Sequence, residues 1–378
     1  MHAGSPLLGT LRLRPGVALP DGIRGGRPDL AGVLLRGQTS EVAVERVALL
    51  HTLCAMAHRL VAQRAVAVAI TGVDQPLASG QLAALAADIA REHARRIGHD
   101  WPLAWGQPSQ APALSRLPRQ ADAAALGDWL AREWLGVTPA QWLRQASDAD
   151  GEIGLDRAIA ALQRSAQARP DGIAATLAQA LHLSRALPFE PGPAVEPLRP
   201  EQPDQARALG QAMAEAGYTR APHWRGGVPD TGPWNRLARS ATPKPAGLPQ
   251  RLLARWTELL SLALPAGGWR PAHGAVALGP HQALAWVETA RGLLAHRVSL
   301  DRPGADAVMA DWQVLAPTEW NFHPRGTLAR ALAALPADTA SNAEVARGMA
   351  CAYDPCMACE IETLVTKRIG DAARPCMS

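Results

Sequence analysis

Two short stretches of this 378-residue chain carry side chains that bind soft metals. The first is Cys356-Met357-Ala358-Cys359, close to the C-terminal end. Two thiolates at this spacing can close on one soft or borderline metal ion. Asp354-Pro355 comes directly before the pair, and a residue that precedes proline is pushed toward extended geometry. The pair is therefore expected on a turn that leads into a helix, whose N-terminal dipole would favour thiolate over thiol. The second stretch is His51-Thr52-Leu53-Cys54-Ala55-Met56-Ala57-His58. Spacings of three and four put His51, Cys54 and His58 on one helical face. Each stretch also has a plainer reading: two reduced cysteines in one case, a packed helix in the other.

These residues need elements to position them. Ser40 to Ile70 is one long helical pattern without Gly or Pro. Ser40 suits its N-cap, and Glu41 suits the positive end of its dipole. Further helices are expected over Gln81–Ile97 (closed by Gly98), Asp122–Leu135, Asp156–Ala168, Ile173–Ala186, Gln205–Ala216, Pro249–Leu264, Thr327–Leu335 and Asn342–Cys351. Residues 1–35 read as extended segments, with apolar alternation in LRLRPGVAL and GVLLRG. After Gly267 the alternation returns in GAVALG and in HRVSLDRPGADAVMADWQVLAP, where Asp301-Arg302-Pro303-Gly304 reads as a hairpin turn. The breaker-rich stretches 187–203 and 219–249 read as connectors. The expected fold is mainly α with small β elements, an α+β chain with a central helix bundle and a β-hairpin unit near its C-terminus.

Composition excludes several functions. The chain is 48% hydrophobic and 19% charged, with a net charge of +4. It has no apolar run of the roughly 18–20 residues that a membrane span needs, and its first residues lack the pattern of a secretory signal. No Lys/Arg cluster marks a nucleic-acid surface. Five cysteines, an odd number, argue against a disulfide framework. A reduced, cytoplasmic protein is expected, without membrane or nucleic-acid partners. Twelve tryptophans beside two tyrosines and two phenylalanines are expected in the core. His93, His99 and Asp100 are read as a helix end beside a turn rather than an acid–base site.

The two cysteine stretches resemble a known family. Asp354-Pro355-Cys356-x-x-Cys359 is similar to the motif that closes the large subunit of nickel–iron hydrogenases, and His51-x-x-Cys54-x-x-x-His58 to its N-terminal Cys-x-x-Cys-x-x-x-His. Glu288-Thr289-Ala290-Arg291-Gly292-Leu293-Leu294-Ala295-His296 resembles its Glu-Ala-Pro-Arg-Gly-x-Leu-Gly-His segment. Pro317-Thr318-Glu319-Trp320-Asn321 with Pro324-Arg325-Gly326, and Arg91-Glu92-His93 with Asp100-Trp101-Pro102, extend the likeness. By position, Cys54 and Cys359 match the ligands that touch iron, and Cys356 matches one terminal nickel ligand. His51 stands where the other nickel cysteine belongs. Arg291 and Thr318 match the groups that donate hydrogen bonds to the iron's cyanides, though Thr318 also suits a turn-capping role. His51 is open to packing, weak ligation or donation to a thiolate; His58 is open to hydrogen bonding near Cys54 or core packing.

The departures shape what the resemblance implies. Thr39 replaces the proton-relay acid after Arg36-Gly37-Gln38, and Glu362 replaces the histidine at the maturation cleavage point. This combination resembles the HupK-type hydrogenase assembly scaffolds. It implies one large-subunit-like domain over 1–378: an extended segment (1–35), a helical core (40–186), a connector region (187–249), a C-terminal half with the metal-site motifs (250–362) and a tail (363–378), where Cys376 has no assigned job. It implies a non-enzymatic maturation factor that transiently holds an Fe(CN)2(CO) moiety, without nickel or an iron–sulfur cluster. The cargo would pass to a hydrogenase large-subunit precursor, with a small chaperone and an iron–sulfur scaffold of the maturation machinery as further partners. The competing readings are a reduced hydrogenase-like metalloenzyme and a metal-free interaction protein that mimics the large subunit.

Overall fold

The structure is a computed structural model that describes residues 9–362 and 374–375, apart from 29, 120–121, 190–191, 193–194, 238–245, 267, 305 and 337–341. Its strands are β1 (Thr10–Leu13), β2 (Ile23–Gly26), β3 (His273–Gly279), β4 (Gln282–Thr289), β5 (Gly292–Leu300), β6 (Met309–Leu315), β7 (Ala358–Ile361) and β8 (Arg374–Pro375). The N-terminal helices are α1 (Ala31–Leu35), α2 (Ser40–Leu50), α3 (Ala55–Thr71) and α4 (Ser79–Arg95). The middle contributes α5 (Trp101–Ala104), α6 (Ala111–Leu114), α7 (Ala123–Leu130), α8 (Pro139–Ala146), α9 (Leu155–Ala168), α10 (Ala174–Ser184), α11 (Pro203–Ala212), α12 (Pro233–Leu237) and α13 (Leu248–Leu262). The chain closes with α14 (Pro317–Asn321), α15 (Thr327–Ala333) and α16 (Asn342–Tyr353).

Period-2 alternation explains both sheets. The first has the order β2-β1-β7-β8, with β1 parallel to β7. Leu11 and Leu13 face inward from β1, and Cys359 and Ile361 face inward from β7. This sheet ties the chain's N-terminal strands to the Cys356–Cys359 turn. The second is an antiparallel meander, β3-β4-β5-β6, covered on both faces. Leu294 and Val298 pack in the cluster that holds α3, whereas Leu293 and Ala295 pack with Leu209 of α11. His296 therefore points the same way as Leu294, toward α3.

α13 is buried on nearly every side, against α4, α8, α9, α10 and α16, and its buried Arg251, Arg255 and Glu258 are paired with charges from neighbouring elements. Trp142 meets its Trp256 edge-on at 5.7 Å, and Trp101, Trp129 and Trp134 are also fully buried. The α+β class and the central helices agree with expectation. The β part is larger than expected, because the apolar alternation over 273–315 folds as four strands and the N-terminal segment joins a second sheet.

Four local expectations are corrected. The 40–70 pattern is two helices, not one: His51 leaves helical geometry at φ −124°, ψ 58°, and Thr52–Cys54 forms a short tight turn. Thr39 takes the N-cap position with Ser40 inside the helix. Residues 32–35 of GVLLRG are helical rather than extended, since α1 buries Ala31 and Leu35 four residues apart. α4 runs on through a wide turn over Arg96–Asp100, so Gly98 does not close it. A Cβ there would lie 2.8 Å from the Trp134 ring, and this close approach is what Gly permits. The stretch Thr52–Thr71 has the length and hydropathy of a membrane span, yet α3 packs on β4 and β5 as a core helix.

Candidate functional site

The break at His51 creates the first half of the site. Seven residues of continuous helix would separate His51 and His58 by roughly 10 Å along the axis. With the helix interrupted, their rings stack at 3.8 Å and 2°. His58 Nδ1 shares a proton with His296 Nε2 at 3.0 Å. Arg27 Nη1 donates to His51 Nδ1 at 2.5 Å. A guanidinium only donates, so the proton of His51 sits on Nε2. Burial, with Arg27 adding to it, pushes His51 down to about 2. Burial alone takes His296 to about 3, and burial followed by its imidazole neighbours holds His58 well below the usual range. All three imidazoles are neutral.

Cys54 caps the N-terminus of α3, and its sulfur accepts from Arg291 Nη1 at 3.3 Å. Burial pushes its thiol up to about 11; Arg291 pulls it down, while Cys356, Glu92 and Asp88 push it further up. Arg291 occupies the tight turn between β4 and β5. Thr289 Oγ1 accepts from the Arg291 amide at 3.3 Å and donates to the Gly292 carbonyl at 2.8 Å. Asn321 Nδ2 donates to the Arg291 carbonyl at 3.3 Å. Gly292 has φ +134°, and a Cβ there would strike Thr231 at 2.6 Å. The arginine is thus fixed at its backbone. Its Nη2 donates to Glu92 at 2.5 Å, and its Nε lies 3.6 Å from Asp354. Burial opposes its charge, but Asp354, Glu92 and then the two thiols raise its pKa well above the ordinary value.

The C-terminal half departs from expectation. Asp354 adopts φ +54°, a left-handed conformation that Asp tolerates better than most residues. The Cys356–Cys359 turn therefore leaves α16 and enters β7, rather than opening a helix of its own. Asp354 is buried against three guanidinium groups: Arg96 at 2.6 Å, Arg255 at 3.0 Å and Arg291 at 3.6 Å. Burial raises its pKa, but Arg291, Arg96 and Arg255 outweigh it and hold the carboxyl below the usual range. Arg96 Nη2 also donates to the Pro355 carbonyl at 3.2 Å. Behind this cluster, Arg255 donates to His93 Nδ1 at 3.0 Å, and His93 Nε2 donates to Glu258 at 2.8 Å. His93 and Asp100, which pairs with Arg96 at 2.8 Å, are thus parts of a buried charge network.

Cys356 is 2.9 Å from Thr318 Oγ1 and accepts from Arg27 Nη2 at 3.0 Å. Thr318 Oγ1 also accepts from the Cys356 amide at 3.4 Å. No side chain caps α14, so the hydroxyl serves the cysteine and not the turn. A cleft of about 1400 Å³ opens here, with Arg27, His51, Thr318 and Met357 in its wall. Leu34 and Leu49 line its mouth and are 44% and 72% exposed.

Of the residues expected from sequence, Cys54, Cys356, Arg291, Thr318, His51 and His58 converge here. Cys359 is buried on β7, within the apolar cluster of Leu11, Leu13 and Ile361. Among the described residues no group of three or more His, Cys, Asp or Glu is arranged to hold a metal ion. Cys376 lies outside the described residues. Sequence reasoning gave no role to Arg27, Glu92, Asp354, Arg96, Arg255 or His296. Glu92, Asp354 and His296 lie inside the quoted motifs, and buried-charge logic could have found them. Arg27 carries no local signal.

Residues 271–362 match the family model of nickel-dependent hydrogenases. Among solved structures, the chain is similar to the Ni-Fe-Se hydrogenase from D. vulgaris Hildenborough, with a TM-score of 0.48 and 16% identity over 88% of this chain and 92% of that one. Among curated proteins, it is 36% identical to the hydrogenase expression/formation protein HoxV of Cupriavidus necator, over 94% of this chain and 96% of the relative. It is 30% identical to the hydrogenase expression/formation protein HupK of Azotobacter vinelandii, over 93% and 96%. On these full-length likenesses, the chain belongs to the HoxV/HupK family of hydrogenase expression/formation proteins.

Proposed function

We propose that this chain is a non-enzymatic scaffold that holds an Fe(CN)2(CO) fragment and delivers it to a hydrogenase large-subunit precursor in the cytoplasm. The observation that carries the reading is the convergence of two thiols and two donors: Arg291 on Cys54 at 3.3 Å and Thr318 on Cys356 at 2.9 Å. Thiolates suit a soft, low-spin iron, and the N–H and O–H groups beside them suit its cyanides. Cys359, three residues after Cys356 and buried in β7, is the third thiol of this reading, while His51 and His58 form a neutral wall. Iron is cargo here, and the site needs neither nickel nor an iron–sulfur cluster.

The protonated thiol of Cys54 fits a carrier. Loading must displace its proton, so the site binds less tightly than a preformed thiolate cage and can release to a better one. The exposed Leu34 and Leu49 at the cleft mouth offer an apolar rim to a precursor or to an accessory chaperone. The second reading, a metal-free interaction protein, draws on the absence of a metal-ready cluster among the described residues. Transfer separates the two. Chain loaded with isotopically labelled iron in a maturation-competent host should pass that iron to purified precursor. Iron that stays on the scaffold, or reaches the precursor equally well with Cys54→Ala, refutes the carrier.

A further inference from the structure

Among the described residues, Arg27 is the cation that contacts both His51 and Cys356 from the cleft side. It sits just past β2, on the sheet that also carries Cys359, so the β2-β1-β7 pairing sets its position over the cysteine turn. Gly25 and Gly26 precede it at φ +85° and +138°, and a Cβ on Gly25 would meet the Thr10 carbonyl at 2.0 Å. The backbone there is one that only glycine adopts easily. One guanidinium nitrogen reaches His51 Nδ1 at 2.5 Å and the other reaches Cys356 Sγ at 3.0 Å. An imidazole nitrogen and a thiol side by side are the donors that a bare divalent ion of the Zn, Co or Ni type seeks. Here a fixed positive charge already fills the space between them.

We propose that Arg27 is the specificity-determining residue of the cargo site: its guanidinium occupies the Cys356–His51 donor pair, repels bare divalent cations and leaves the thiols to an iron fragment whose charge is offset by its cyanides. The inference deepens the carrier reading and rests on it. Repulsion is the physical basis, because an arginine keeps its charge in any working buffer and a dication would have to sit within about 4 Å of it. Attraction is the other half. The same N–H groups can turn from sulfur to a cyanide nitrogen, as Arg291 can on the opposite side, so a fragment with two cyanides to offset its iron gains a donor where a bare cation meets a charge. His51 completes the device: its Nδ1 lone pair, free to ligate in any other setting, is taken up as the acceptor of Arg27.

The test is a Co²⁺ titration of the full-length reduced chain, read by sulfur-to-cobalt charge-transfer absorption. The wild type should show no Cys356-dependent band. Arg27→Met, which keeps the stem and loses the charge, should bind Co²⁺ at least about 100-fold more tightly, with a band that disappears in Arg27→Met/Cys356→Ser. Arg27→Lys should still exclude the ion, which separates charge from shape, and circular dichroism should show all variants folded. A wild-type chain that binds Co²⁺ through Cys356 as tightly as Arg27→Met overturns the proposal, and so does an Arg27→Met chain that gains no affinity. Because the readout is a bare cation, failure here is distinct from failure of the iron-carrier reading, which is read by iron transfer.

Discussion

Asp354 is the residue whose loss should be felt most. Its carboxylate faces Arg96, Arg255 and Arg291 at 2.6, 3.0 and 3.6 Å, and all four groups are buried. Asp354→Asn removes one negative charge and almost no volume. Asn also tolerates left-handed backbone, so the φ of +54° adds no penalty of its own. The change therefore isolates the electrostatic part. Each contact at this range is worth roughly 5–6 kcal/mol in Coulomb energy at an effective dielectric near 20, but solvation of the separated charges cancels most of the sum. Breaking a buried ion pair by removing one partner costs about 3–5 kcal/mol, and that is the expected loss. Urea unfolding of wild type, Asp354→Asn and Asp354→Glu measures it, with Glu expected between the two. The pH dependence supplies the sign. A carboxyl held below its unfolded value stabilises the fold fully above the ordinary carboxylate range, and that contribution fades as pH falls below about 4. The wild-type advantage should therefore be constant from neutral pH down to about pH 5 and shrink in stronger acid. A loss under ~1 kcal/mol, or an advantage that shrinks already near neutrality, would refute the argument.

Three further outcomes follow from the same geometry. His51, His58 and His296 are neutral with folded values far below the unfolded one near 6.5, so their contribution is complete above that value and is lost as pH falls. From pH 7.5 to 5.5 each should forfeit about 1.4 kcal/mol, and His296→Gln should reduce the loss of stability over that interval by about the same amount; an unchanged slope contradicts the neutral stack. Cys54, pushed up to about 11, should be alkylated about 100-fold more slowly at pH 7 than an ordinary cysteine, with a rate that climbs through pH 10; a plateau near pH 9 would show an unperturbed thiol. Gly98→Ala should lower stability by about 1–3 kcal/mol by pressing on the Trp134 ring, and a neutral effect in thermal melts would show that the wide turn can give.

What could be read from the sequence divides along physical lines. Cys54, Cys356, Arg291 and Thr318 were legible because residue type and spacing carry their chemistry, and the structure brings them together. Most helices were legible because 3.6-residue periodicity and a cap such as Asp122, whose side chain accepts from the Ala125 amide, are local signals. The break at His51 was not, since Ser40 to Ile70 contains no breaker residue. Its cause is tertiary: a ring that stacks on His58 and an arginine from a distant strand. The turn after α16 misled for a related reason. Proline argues for extended geometry at Asp354, but three guanidiniums hold that residue in a left-handed one. Arg27 was invisible because its meaning depends on β1 pairing with both β2 and β7, a register that no local pattern announces.

Infrared spectroscopy of the anaerobically purified chain, produced in a maturation-competent host, tests the carrier claim most directly. Cyanide and carbonyl stretches in the wild type that vanish in Cys54→Ala and Cys356→Ala, and whose cyanide bands shift in Arg291→Met, are the predicted result. A wild-type spectrum without either stretch, or stretches that survive the loss of both cysteines, would contradict it.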